Sequence, residues 1–169
     1  HIWNQGEGTN GDNIYLRTDS AGNLYFGWGR ASDVNECLIT QQILSNNWHG
    51  VYIAHNGTRL SGSNATATNL AAAFDIRIMG TDNNWTLGSN LSTSSNWIST
   101  GNRMDRSNTG ALTIGGRGSN RSFHGKIASM VVTVLRRSYQ MPSDTEIELM
   151  ITDPKKWEDD SRVGKTDRQ

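Results

Sequence analysis

Apolar and polar positions alternate with a period of two along several short stretches of this chain, which is the pattern of strands lying half-buried on a sheet. Residues 13–18 (Asn-Ile-Tyr-Leu-Arg-Thr) read as one strand, 24–28 as its return, and 19–23 (Asp-Ser-Ala-Gly-Asn) as the turn of a hairpin. Residues 36–44 are apolar-rich and predict another strand. From Trp48 to His55, one face carries Trp48, Gly50, Tyr52 and Ala54, and the other His49, Val51, Ile53 and His55. Apolar groups on both faces predict a central strand covered on both sides, with Trp48 in the core and Asn56-Gly57 as the following turn. Residues 69–74 predict a short helix with Thr68 as its cap, followed by a strand over 75–79.

The stretch 80–110 breaks the rhythm. It is dense in Gly, Ser, Thr and Asn, with Trp85, Leu87, Leu91, Trp97 and Ile98 as its apolar points. Two short strands and long loops are expected there, and loops of that length are uncommon unless functional. Alternation then returns. Residues 112–116 (Leu-Thr-Ile-Gly-Gly) and 123–132 (Phe-His-Gly-Lys-Ile-Ala-Ser-Met-Val-Val) read as strand, turn, strand. Ser143-Asp-Thr-Glu146 has the spacing of a capping box, and Ile147, Met150 and Ile151 follow at helical intervals. Asp153-Pro154 reads as a second helix start, with Trp157 as its anchor. One domain over 1–157 and a charged tail over 158–169 account for the whole chain.

The order of the strands at 112–116 and 123–132, then the helix start at 141–147, resembles the closing portion of laminin-G domains in the concanavalin-A-like lectin/glucanase superfamily. The run from Trp48 to Asn56-Gly57 is similar to another segment of those domains. The resemblance covers about residues 13–151 and is most specific over 112–151. It implies an all-β fold, an antiparallel β-sandwich of the concanavalin A-like jelly-roll type, with a short C-terminal helical segment. The chain departs from the family in lacking a disulfide and a clear pair of calcium aspartates.

Composition narrows the classes. The chain has 169 residues, enough for one domain with a core, and its six Trp, four Tyr and three Phe argue against disorder. Sixteen cationic residues balance sixteen anionic ones, so whole-chain charge points to neither a nucleic-acid nor an anionic-membrane partner. With Cys37 as the single cysteine, no intrachain disulfide can brace the fold. No apolar run approaches the ~20 residues of a membrane-spanning helix. The chain opens on His1 without Met or a secretory signal, which suggests a processed product or a fragment. Five glycosylation sequons, at Asn56, Asn64, Asn84, Asn90 and Asn120, are what a chain rich in Asn, Ser and Thr produces by chance.

Four groups of residues carry candidate chemistry. Trp85 and Trp97 offer indole faces on which sugars stack, with Asn83, Asn84 and Arg103 to read hydroxyls. The bland alternative is that both rings seal the ends of the sandwich. Asp82 and Asn83, with Asp105, offer oxygens to a Ca²⁺ of the kind laminin-G domains often hold at the rim, although Asp and Asn are also ordinary turn residues. Asp144, Glu146 and Glu148 have the i, i+2, i+4 spacing that retaining glycosidases of the superfamily use on a strand. The capping box favours a helix, on which those carboxylates diverge. His1, His49, His55 and His124 show no metal-ligand spacing.

Charge is uneven along the chain. Seven cations stand against one anion over 103–137, and seven anions against two cations over 144–160. Adjacent blocks of opposite sign predict docking of the C-terminal helix on the last strands, or a head-to-tail homo-oligomer. The leading expectation is a non-catalytic carbohydrate-binding or adhesion module, extracellular or on a virion, with a glycan as partner. The alternative is a virion structural protein contacting other proteins, because the composition and the stretch 115–126 (GGRGSNRSFHGK) resemble laminin-G-like domains of tailed phages, often from marine samples. A glycoside hydrolase of the same superfamily is the third.

Overall fold

A computed structural model describes residues 2–5, 13–30, 33–40, 47–58, 60, 64–80, 84–99, 112–115, 123–131 and 142–156. In chain order these form β1 (Trp3–Gln5), β2 (Asn13–Thr18), β3 (Leu24–Arg30), β4 (Asp33–Thr40), β5 (Gly50–His55), α1 (Ala67–Ala73), β6 (Phe74–Met79), β7 (Trp97–Ser99), β8 (Leu112–Ile114) and α2 (Asp144–Thr152). Six strands make one sheet in the order β7-β4-β3-β2-β1-β8, and β5 pairs with β6 in a second. Every pairing is antiparallel. The protein is therefore predominantly β, with a few short helices.

The β2–β3 hairpin forms where the alternation places it. Asp19 organises its turn: one carboxylate oxygen accepts from the backbone N–H of Ala21 and of Asn23, both at 2.9 Å. Gly22 takes the positive φ of 83° that the turn requires. Cross-strand register then lines up Trp3, Leu16, Phe26, Cys37 and Trp97 as one row over five strands. Phe74 and Ile76 of β6 and Leu70 and Ala73 of α1 share the core beneath that row. The Phe26 and Phe74 rings meet at 5.4 Å between centroids, as do Phe74 and Trp97. Such pairs each add ~0.5–1.5 kcal/mol beyond the area they bury.

A smaller apolar patch lies on the other face of the β5–β6 pair. There α2 packs so closely that a Cβ on Gly50 would strike the Ile151 side chain and lie 2.7 Å from Met79 Cγ. Ile147 and Met79 are each 1% exposed, outside the main core cluster. Arg77 of β6 reaches α2 through Asp144 at 2.9 Å while holding Asp75 of its own strand at 2.8 Å. The helix docks on this pair, whereas the charge blocks pointed to the last strands. The cations at 103, 106, 117, 121, 136 and 137 lie outside the described residues.

Several boundaries differ from the sequence expectations. The fifth strand starts at Gly50, and Trp48, expected in the core, is 49% exposed. Glycine permits the close approach of α2 at position 50, so the covered face begins there and leaves Trp48 beyond it. The first helix starts two residues earlier than expected: Thr66 is the cap, its Oγ1 accepting from Asn69 N at 3.3 Å. The strand expected at 36–44 spans Asp33–Thr40, its last four expected residues lying outside the described ones. Residues 123–131 take no regular structure, although they read as a strand. Ile127 and Val131 stay exposed there, so no buried face enforces a register. The capping box is as expected, with Ser143 and Glu146 bonding reciprocally, and Lys156 N donates to Asp153 Oδ1 at the second helix start. Trp157 is outside the described residues.

Candidate functional site

The β5–β6 pair opens at Gly50 and Met79 onto a rim built by short-range backbone chemistry. Gly80, next along β6, has a φ of 84°, and a Cβ there would collide with the carbonyl oxygen of Trp48. Only glycine allows the chain before β5 and the chain after β6 to touch at this point. Gly80 N donates to Asn84 O at 2.6 Å, which ties the end of β6 to the residue before Trp85. Asn84 Oδ1 then accepts from Thr86 N at 3.0 Å, an Asx turn that sets the backbone on either side of Trp85. The segment is strapped at its far end as well. Leu87 N donates to Glu148 Oε1 of α2 at 2.8 Å, and Gly88 N to Ile78 O at 3.2 Å.

This bracing leaves Trp85 43% exposed, with Asn84 exposed beside it. Trp48 is open on the adjoining segment, preceded by exposed Asn47. Exposed indole costs free energy in water, so a braced rim that holds it out is a candidate binding surface. At His49, the next residue, both ring nitrogens are shielded from solvent and have no hydrogen-bond partner.

A second polar constellation crosses the outer face of the six-stranded sheet. Tyr15 donates to Glu36 Oε1 at 2.7 Å, and Arg17 binds both Glu36 oxygens at 2.7 and 2.8 Å. The Arg17 guanidinium also lies 4.5 Å over the Tyr25 ring, whose hydroxyl donates to Asp19. Tyr15 and Glu36 sit on β2 and β4 and meet across β3 because Gly27 stands between them. A Cβ there would come within 2.8 Å of Glu36 Cγ and 2.9 Å of Tyr15 Cζ. Burial, then the Glu36 charge, pushes the Tyr15 phenol well above its ordinary range, so it stays protonated. With both Glu36 oxygens occupied, the cluster acts as a brace between strands.

Of the expected site residues, Asn84 and Trp85 stand together at the rim and Trp97 does not join them. Trp97 is 5% exposed, in contact with Phe26 and Phe74, and its Nε1 donates to Ser92 Oγ at 2.9 Å. A ring enclosed in that way has no face for a sugar, so Trp97 is a core residue and leaves the binding set. Asp82, Asn83, Arg103 and Asp105 lie outside the described residues. Among the described residues no group of three or more His, Cys, Asp or Glu is placed to hold a metal. Asp144, Glu146 and Glu148 turn to three different partners, Arg77, Ser143 and Leu87 N, as a helix requires. Cys37 is fully buried and its thiol is pushed up to about 12 by burial, so it stays a core thiol.

Trp48 is the rim residue that strand periodicity hid. A different signal was available. The tripeptide Asn-Asn-Trp occurs at 46–48 and again at 83–85. The two copies end in the two exposed indoles, on the segments that meet at Gly80.

No protein-family model, no curated protein and no solved structure matches the chain.

Proposed function

We propose that this protein is a non-catalytic carbohydrate-binding or adhesion module of the laminin-G, concanavalin A-like type, acting outside the cell or on a virion. The observation that carries the reading is Trp85, an exposed indole held out by an Asx turn with the Asn84 carboxamide beside it. Sugars present an apolar C–H face that stacks on indole and hydroxyls that amides read, and this rim supplies both. Two antiparallel sheets meeting through Phe26, Phe74 and Ile76 support the sandwich arrangement of that superfamily. Electrophoresis through gels holding laminarin, hydroxyethylcellulose, dextran, xylan or alginate tests the reading. The protein is retarded in at least one gel, and Trp85→Ala moves freely. Unretarded migration in all five sinks it.

A virion structural role is the second reading, favoured by exposed Ile98, Leu112 and Ile114 on β7 and β8, the outermost strands of the large sheet. Apolar side chains at sheet margins suit contact with other proteins or with further copies. Solution mass by light scattering, with and without EDTA, separates the two. A trimer or larger ring favours the virion role, and a monomer the tethered module. Among the described residues no helix is long and apolar enough to cross a membrane.

A further inference from the structure

We infer that the ligand of this rim is a neutral glycan chain, held by Trp48 and Trp85 as two stacking subsites. The inference rests on the carbohydrate reading above and extends it to a residue and a ligand class. Sequence, placement and side-chain chemistry each contribute.

The duplicated Asn-Asn-Trp ends in two indoles that are 49% and 43% exposed. Their segments meet where Gly80 passes under the Trp48 carbonyl and bonds Asn84 O. Among the described residues neither indole has an aromatic partner, and about half of each residue is open to solvent. Ordinary core-forming tryptophans do not behave this way, as Trp97 shows from its enclosed position after Asn96.

The polar groups of the rim fix the ligand class. Asn84 Oδ1 is committed to Thr86 N, which leaves the Nδ2 hydrogens as outward donors for hydroxyl oxygens. Asn47, Trp48, Asn84, Trp85 and Thr86 carry no charge, and the nearby carboxylate of Glu148 is bonded to Leu87 N. These five residues offer no charge to an anionic sugar, whereas their amides and indoles suit a neutral one. A single sugar ring stacks on one indole at a time. A chain that reaches both engages the second indole intramolecularly, at a high effective concentration, so affinity climbs with chain length until both are filled.

The experiment takes oligosaccharides of increasing length from whichever neutral polysaccharide retards the wild-type protein, and titrates them against indole fluorescence. Wild-type protein binds the longer oligomers at least tenfold more tightly than the monosaccharide. Trp48→Ala weakens long-chain binding about tenfold and flattens the length dependence, because one stacking contact is worth roughly that factor. Trp48→Phe recovers part of both, which separates stacking from any loss of fold. If Trp48→Ala binds long chains as wild type does while Trp85→Ala does not, the second subsite is wrong and the carbohydrate reading survives. If alginate alone retards the protein, the neutral class is wrong. If no polysaccharide retards it, the carbohydrate reading and this inference fall together.

Discussion

Asn84-Trp85 and Asn96-Trp97 are the same dipeptide, twelve residues apart in the same Ser/Asn-rich stretch, and they end in opposite environments. Trp97 opens β7, and its register with Cys37 of β4 points the indole into the core. Its N–H, which would be costly to bury unpaired, finds Ser92 Oγ. Trp85 follows Asn84, which is tied to Gly80, and precedes a segment tied to α2, and no strand register turns it inward. Ring chemistry and neighbouring residue are shared, so neither decides burial. What decides it is whether the backbone at that point joins the sheet. The core half of the molecule is organised by cross-strand register, and the rim by turn hydrogen bonds and one glycine.

The sharpest way to break this contrast is to delete each ring. Trp97→Ala removes the ring that touches both Phe26 and Phe74, and the expected loss is ~3–5 kcal/mol, the range for large-to-small changes in packed cores. Trp85→Ala removes a half-open ring and changes stability by no more than about 0.5 kcal/mol. Chemical denaturation of the two variants measures the difference directly. Equal losses would mean that Trp85 is packed in solution and unavailable as a binding surface.

That result bears on how much could be read before the structure. Period-two alternation located the β2–β3 hairpin and the strand at 75–79, because one side of each strand is apolar and faces a single core. The capping box located α2, since both of its hydrogen bonds are local in sequence. Alternation failed at Trp48, where the pattern runs past the end of the covered face. The end is set by Gly50 meeting Ile151, a contact about a hundred residues apart in sequence. It failed also over 123–131, where apolar residues alternate without a partner surface to bury them. The Tyr15–Arg17–Glu36 brace was equally hidden, because it depends on three strands and a glycine lying in register. Half of the candidate site, Trp85 with Asn84, was legible as an aromatic among amides. The other half was visible only as a repeated tripeptide.

A milder perturbation separates rim from core without touching either ring. Glu148→Ala takes away the acceptor of Leu87 N, a part-buried bond that joins the rim segment to α2. The expected cost is ~1–2 kcal/mol for a backbone donor left without its partner. Hydrogen exchange should report it locally. The Leu87 and Gly88 amides exchange faster, while those of β3 and β4 keep their protection. If core amides lose protection to the same degree, rim and core unfold as one unit, and the independence of the two regions is wrong.

The smallest effect is expected where the two regions join. His55 ends β5, its ring 4.7 Å from that of Phe74 and therefore against the core, while its Nδ1 accepts from Gly57 N at 3.2 Å in the exposed turn. That bond places the neutral ring's proton on Nε2, which is buried with no hydrogen-bond partner. Burial holds the imidazole below its ordinary value of 6.5, since the interior disfavours the charged ring. Between that lowered value and 6.5 the unfolded chain binds more protons than the folded one, so stability rises with pH across the window. The contribution is fully present above 6.5 and is lost as pH falls through the folded value. Melting temperatures of wild type and His55→Gln, compared at about pH 7.5 and about pH 5, isolate it from the other histidines, which are common to both proteins. Wild type loses more on acidification than the variant does. Identical losses would place the ring in solvent, and the boundary of the sealed core would then fall short of Phe74's outer edge.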